Sequence, residues 1–206
     1  MSIFVSYETK PKYPPLEAGS YAARCYGIVV TGTEYSQMFD KLSTGVTILW
    51  ELPTELVEGT DEHGQPIRHP RALSQSYTLS LAPKSKLRAV LENWRGKAFT
   101  DEELRAFDIS KLIGAPCLLN VLQDQKGDGT TYNKVMGVAR VPKGMNVDEL
   151  YNKTIEFDIR DTNTPLSAVD ALPEWLQKRI KQSDEYMART NPEAAEAIDD
   201  TEDLPW

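Results

Sequence analysis

Long apolar runs are missing from this chain: no stretch of about eighteen apolar residues occurs, and residues 1–10, MSIFVSYETK, lack the basic start and apolar core of an export signal. A soluble, unexported, cytoplasmic protein with no membrane partner is the expectation. Cysteine is scarce, with only Cys25 and Cys117, each in an apolar segment. Two reduced core thiols fit that placement better than a disulfide. The two histidines, His63 and His69, lie in a charged stretch with no cysteine nearby and read as solvated loop residues rather than zinc ligands. There is no glycine-rich phosphate loop, no Gly-x-Ser-x-Gly elbow and no cysteine pair at metal spacing. The adjacent carboxylates Glu102 and Glu103 belong to a helix start, where the macrodipole favours them. The expectation is a protein that uses no cofactor and no metal and catalyses no reaction.

A basic surplus is missing as well, since the chain carries a net charge of −8 over 206 residues. Residues 183–206 hold eight acids and one base, a net of −7, which leaves −1 for residues 1–182. The acidity therefore lies in the tail, and a nearly neutral body is compatible with a local basic groove. With 40% hydrophobic residues the body can bury one substantial core. Two parts are expected: a folded domain over residues 1–182 and an acidic tail over residues 183–206. From residue 191 onward prolines and acids outnumber large apolar side chains, so this stretch cannot bury enough surface to fold and is expected to be disordered. It ends Asp199, Asp200, Thr201, Glu202, Asp203, Leu204, Pro205, Trp206. An indole at the tip of an acidic tail suits a partner's apolar pocket ringed by bases. The plainer alternative is a solubilising acidic end.

What is present along the body is a β pattern interrupted once by helix. Pro11, Pro14 and Pro15 keep the N-terminal arm extended up to Gly19. A first strand is expected over residues 20–33, with Gly27 marking a bend. A polar and aromatic loop over residues 34–44 leads to a second strand at 45–52. The charged residues 53–71, rich in glycine and proline, read as an extended arm or long hairpin loop before a third strand at 72–81. Leu87, Val90, Leu91 and Trp94 recur at i, i+3, i+4, i+7, predicting a helix over 86–95 that ends at Gly96 and puts Trp94 in the core. Thr100 and Glu103 form a capping box, with Phe99 and Leu104 as the staple, opening a short helix over 101–107. Two more strands, 117–123 and 132–141, flank a turn at residues 124–131. Residues 146–159 offer a further strand, and residues 173–180 a closing helix begun by proline. Three strands, a helical connection and two strands is the order of the five-stranded OB-fold barrel, so the expected class is mainly β, with that barrel, a helical insertion between strands 3 and 4, and the disordered acidic tail.

A surface that holds single-stranded nucleic acid needs flat rings for base stacking beside cations that follow the phosphates. Arg24 and Tyr26 share one strand face opposite Ala23 and Cys25. By the same parity Tyr132, Lys134 and Arg140 share a face of the fifth strand. The loop after strand one offers Tyr35, Phe39 and Lys41, and the hairpin turn offers Lys126. Trp50 and Tyr77 fit either side of their strands. Any one of these residues is also at home in a core or as an ordinary solvated charge; their concentration on the same elements is what makes the set a candidate.

The acidic end closing in Leu-Pro-Trp is similar to the acidic tips of bacterial and phage single-stranded DNA-binding proteins, which typically end in Pro-Phe or another phenylalanine. Residues 87–121, LRAVLENWRGKAFTDEELRAFDISKLIGAPCLLNV, together with VPKGM at 141–145, resemble phage and prophage proteins of about this length associated with replication. The resemblance implies an OB-fold that coats single-stranded DNA without sequence preference during phage DNA replication and recombination, in an infected or lysogenic bacterial host. It also implies recruitment of a polymerase, helicase or nuclease through the tail. The chain departs from the pattern in ending on Trp rather than Phe, and in lacking a strong basic surplus. The competing reading is an acidic phage adaptor or DNA mimic that binds a host enzyme and never touches DNA. The sequence leaves the oligomeric state open.

Overall fold

The computed structural model describes residues 13–36, 40–60 and 63–191. Two apolar runs decide its architecture. Ile28-Val29-Val30 and Ile48-Leu49-Trp50 are continuous rather than alternating, a pattern suited to strands covered on both faces. They fall in β1 (Gly19–Ser36) and β2 (Lys41–Thr60), paired antiparallel with Ile28 opposite Ile48. Ile28, Val30, Val46, Ile48 and Trp50 face the main core, while Val29 and Leu49 face a second one on the opposite side of the sheet.

β3 (Pro66–Thr78) pairs with β2, β4 (Pro116–Gln125) with the first part of β1, and β5 (Thr131–Ala139) with β4. The order β3-β2-β1-β4-β5, antiparallel throughout, makes a curled half-barrel. Register shifts between Cys25 and Gly27 and between Val30 and Gly32 accompany the bending of β1. At Gly27 a Cβ would lie 2.8 Å from the Leu49 Cδ1, so the expected bend is also a place of close approach. β3 and β5 face each other across an open seam, where Arg71 donates to the Asn133 Oδ1 at 3.4 Å. The N-terminal segment straps this seam: the Leu16 N–H donates to the same Oδ1 at 2.9 Å, and Gln123 and Asn133 donate to the Leu16 carbonyl.

One expected loop turns out to be largely strand, and the expected arm or hairpin loop is a paired hairpin. β1 runs on to Ser36 and β2 starts at Lys41, so most of the loop placed at residues 34–44 is strand, with Asp40 in a turn. Residues 53–71 are a paired hairpin arm, with Pro53 at the register shift between Leu52 and Leu56, a position where a missing N–H costs no ladder bond. The first two helices lie between β3 and β4. In α1 (Lys86–Arg95) Leu87, Leu91 and Trp94 are buried, and left-handed Gly96 (φ 69°) ends the helix as expected. α2 (Asp101–Arg105) has the full Thr100–Glu103 capping box but stops two residues before 107. Trp94 meets Trp50 with ring centroids 6.0 Å apart and donates its indole N–H to the Pro116 carbonyl at 2.9 Å. Cys25 and Cys117 are free and buried.

Beyond β5 the chain crosses to the outer face of β1 and covers it. β6 (Ile155–Asp158) pairs parallel with β1, and α3 (Glu174–Ile180) follows Pro173. Phe157, Ile159, Val169, Leu172, Leu176 and Ile180 close over Val29 and Leu49 to form the second core. α4 (Asp184–Thr190) then docks on the end of β1. The Glu185 carboxylate accepts the Thr33 N–H at 2.7 Å and its hydroxyl at 2.8 Å, while Arg189 donates to the Ile159 and Thr164 carbonyls. Gly32 (φ 95°) makes this possible, because a Cβ there would sit 2.5 Å from the Ser183 Cβ. Residues 183–191 thus belong to the folded body, which corrects the tail boundary set at residue 183. The segment beyond it, residues 192–206, lies outside the described residues. Among the described residues no helix is long and apolar enough to cross a membrane.

Candidate nucleic-acid interface

Arg24 and Tyr26 do leave β1 on the side opposite Ala23 and Cys25, but that side is covered. Arg24 donates to the carbonyls of Asp148, Val147 and Gly114 at 2.5–2.8 Å and lies 3.5 Å from the Glu149 carboxylate, holding the segment that leads into β6. Tyr26 packs into the second core. Burial and the charge of Glu51 push its phenol up to about 12. Glu51 itself is fully buried, its carboxylate satisfied by the N–H groups of Tyr151 and Asn152 and by the Asn152 amide. Trp50 has no exposed surface, and Tyr77 packs against the main core with its phenol pushed above its ordinary range by burial. Trp50 is fully enclosed, so base stacking on its ring would require the fold to open, whereas Tyr26 is half-buried against the second core and Arg24 is taken up by backbone carbonyls.

The β4–β5 hairpin keeps part of its expected set together. Asp124 takes the Lys134 ammonium at 2.8 Å and the Tyr132 hydroxyl at 3.3 Å, and Lys126 stands 6.0 Å from the Tyr132 ring centroid. The ion pair holds the Asp124 carboxyl below its usual range and raises Lys134. Arg140 is not in this group. A register shift opposite Asn120 and Val121 flips the parity of β5, so that Val135 and Val138 both face inward. Arg140 instead extends past Gly96 at the end of α1, its Cδ 3.1 Å from where a Cβ would stand.

At the other end of the half-barrel, Tyr35 is 57% exposed and its hydroxyl donates to Asp40. Phe39 and the tail residues Asp199, Asp200, Glu202, Asp203, Leu204, Pro205 and Trp206 lie outside the described residues. Lys41 lines an open groove of about 590 Å³ between the β1–β2 turn, the end of β3 and the start of α1. Lys84 and Lys86 from the β3–α1 junction and Arg179 from α3 line it too, with Tyr77, five serines and Thr78. The Arg179 guanidinium is held at 3.1 Å by Glu34 and lies over Gly45, where a Cβ would come within 3.1 Å of its Nη2. Lys84, Lys86 and Arg179 were not singled out from sequence. The first two stand in a Pro-Lys-Ser-Lys start to a helix with no acid in its first turn, a readable signal, whereas Arg179 arrives only through the C-terminal cap.

A second open cleft, about 1120 Å³, separates the N-terminal strap from the β2–β3 arm and carries Glu17, Glu55 and Glu58 beside His69 and Arg71. Its acidic side chains make it a poor host for phosphates. Among the described residues no three His, Cys, Asp or Glu side chains gather as a metal site would require. Comparison of the chain with protein-family models, with curated proteins and with solved structures finds no match.

Proposed function

We propose that this protein is a single-stranded DNA-binding protein built on an OB-type barrel, coating DNA without sequence preference in phage replication or recombination. The observation that supports this most is topological. A curled antiparallel half-barrel ordered β3-β2-β1-β4-β5, with β3 and β5 on either side of an open seam and two helices between β3 and β4, is compatible with the strand order of an OB barrel and supports that reading. Fold alone does not fix function, so the proposal also leans on the surface: a cation- and hydroxyl-lined groove at one end and the Tyr132, Lys126 and Lys134 group on the β4–β5 hairpin. The acidic residues 192–206 complete the reading as the segment that recruits a polymerase, helicase or nuclease, with Trp206 as its anchor.

The net charge of −8 favours one other reading, an acidic adaptor or DNA mimic that binds a host enzyme. A gel shift separates the two. The full chain is expected to retard a labelled oligo-dT and to do so more strongly than a duplex of equal length, because stacking needs unstacked bases. Equal retardation of both, or of neither, would remove the single-strand reading.

A further inference from the structure

We infer that the groove between the β1–β2 turn, β3 and the start of α1 is the track for the sugar-phosphate backbone, and that the C-terminal cap contributes to it through Arg179. This rests on the single-stranded DNA reading and locates it on the molecule. Thirteen of the described residues line the groove; four of these are cations and none is acidic, in a chain with 31 acids and 23 lysines and arginines. Arg179 is partly offset by its ion pair with Glu34, but the sign of the lining as a whole is positive, which in a concavity favours anions. The remaining lining fits the same ligand. Ser36, Ser43, Thr78 and Ser80 supply hydroxyls, the side chains that join lysine and arginine in contacting phosphate oxygens, while the hydroxyls of Ser76 and Ser85 are engaged with Thr47 and the Ser80 carbonyl.

The start of α1 adds a fixed positive charge to this wall. Its N-cap residue, Ser85, turns its hydroxyl to the Ser80 carbonyl at 2.5 Å instead of capping, and the first turn carries no acid. The positive end of the helix dipole at the groove is thus left uncompensated. Arg179 comes from the far end of the chain, on a helix whose inner face, Leu176 and Ile180, is locked into the second core. The Glu34 carboxylate fixes its direction. The cap therefore does two things: it covers the outer face of β1, and it carries a guanidinium to a groove formed otherwise by residues 36–86.

Fluorescence anisotropy with a labelled dT30 tests this on the full chain, comparing the wild type with K84A/K86A and with K143A/K153A. The last pair removes the same charge from exposed lysines elsewhere. The groove variant is expected to bind about tenfold more weakly, with a shallower salt dependence, since each lost phosphate contact removes about 0.7 from the log–log slope on a single strand. The control variant is expected to bind as the wild type does. Wild-type binding with the two variants indistinguishable from each other would overturn the groove assignment and leave the single-stranded DNA reading standing. No binding by the wild type would end both. Thermal melts of each variant confirm that the comparison is between folded proteins.

Discussion

Two tryptophans in contact show how little a residue's identity says about its role. Both Trp50 and Trp94 are buried, yet Trp94 donates its N–H to Pro116, whereas the Trp50 Nε1 is buried without a partner. A buried donor with nothing to meet costs free energy that an apolar ring would not incur. Trp50→Phe is therefore expected to destabilise less than Trp94→Phe, and Trp94→Ala to cost about 3–5 kcal/mol, all read from urea unfolding curves. Tyr26→Ala is expected to lower stability by about 1–3 kcal/mol and to leave the oligo-dT affinity of the folded protein unchanged. A folded Tyr26 variant with clearly weakened binding would return that ring to the interface.

Among the elements, α2 offers the clearest pH signature. The Thr100 N–H donates to Glu103, with Arg95 and Lys97 beside the same carboxylate, and together they hold its pKa at about 2, against an ordinary value of 4.5. A depressed carboxyl contributes stability that is complete above the unfolded value and disappears as pH falls through the folded one. Unfolding monitored from pH 5 to pH 2 is expected to show that loss, and Glu103→Gln to flatten it; an unchanged pH profile in the variant would assign the acid sensitivity elsewhere. This element was legible because a capping box is written in four consecutive residues. So were α1, its Gly96 stop and the β4–β5 turn, whose information is equally local. The upper half of β2 was only half legible: Pro53, Gly59 and the charges around them left an extended arm and a long hairpin loop equally open, and only pairing with β3 decides for strand. Arg140 was misplaced because one unpaired residue in β5 reverses the alternation from which its face was read. The covered outer face of β1 could be sensed in the unbroken run Ile28-Val29-Val30, but not what covers it, because Phe157 and Leu176 are more than a hundred residues away. For the same reason Lys41, Lys84 and Arg179 become neighbours only in the fold.

At the scale of the whole molecule, the folded body runs on past residue 182 at least to residue 191. Truncation after residue 191 is expected to leave the melting temperature nearly unchanged. Truncation after residue 182 removes Ser183, Glu185 and Arg189 from their contacts with β1 and the loop after β6, and is expected to cost about 3 kcal/mol or more. Equal stability of the two truncations would show that α4 is not part of the body. Residues 192–206 hold six acids and no base, so −6 of the net −8 lies there and −2 remains on residues 1–191. On the proposed reading those tethered charges are expected to compete with phosphate for the groove, and their removal to raise oligo-dT affinity, most at low salt where screening is least. Trp206→Ala, which keeps every charge, is expected to leave DNA binding unchanged while abolishing capture of a replication protein. The central claim, that the half-barrel holds single-stranded DNA by its phosphates, meets its most direct test in the salt dependence of dT30 binding by the chain truncated after residue 191. With three to four cations engaged, the slope of log K against log salt is predicted at about −2 to −3. A slope near zero, or one matched by a duplex of the same length at the same affinity, would contradict it.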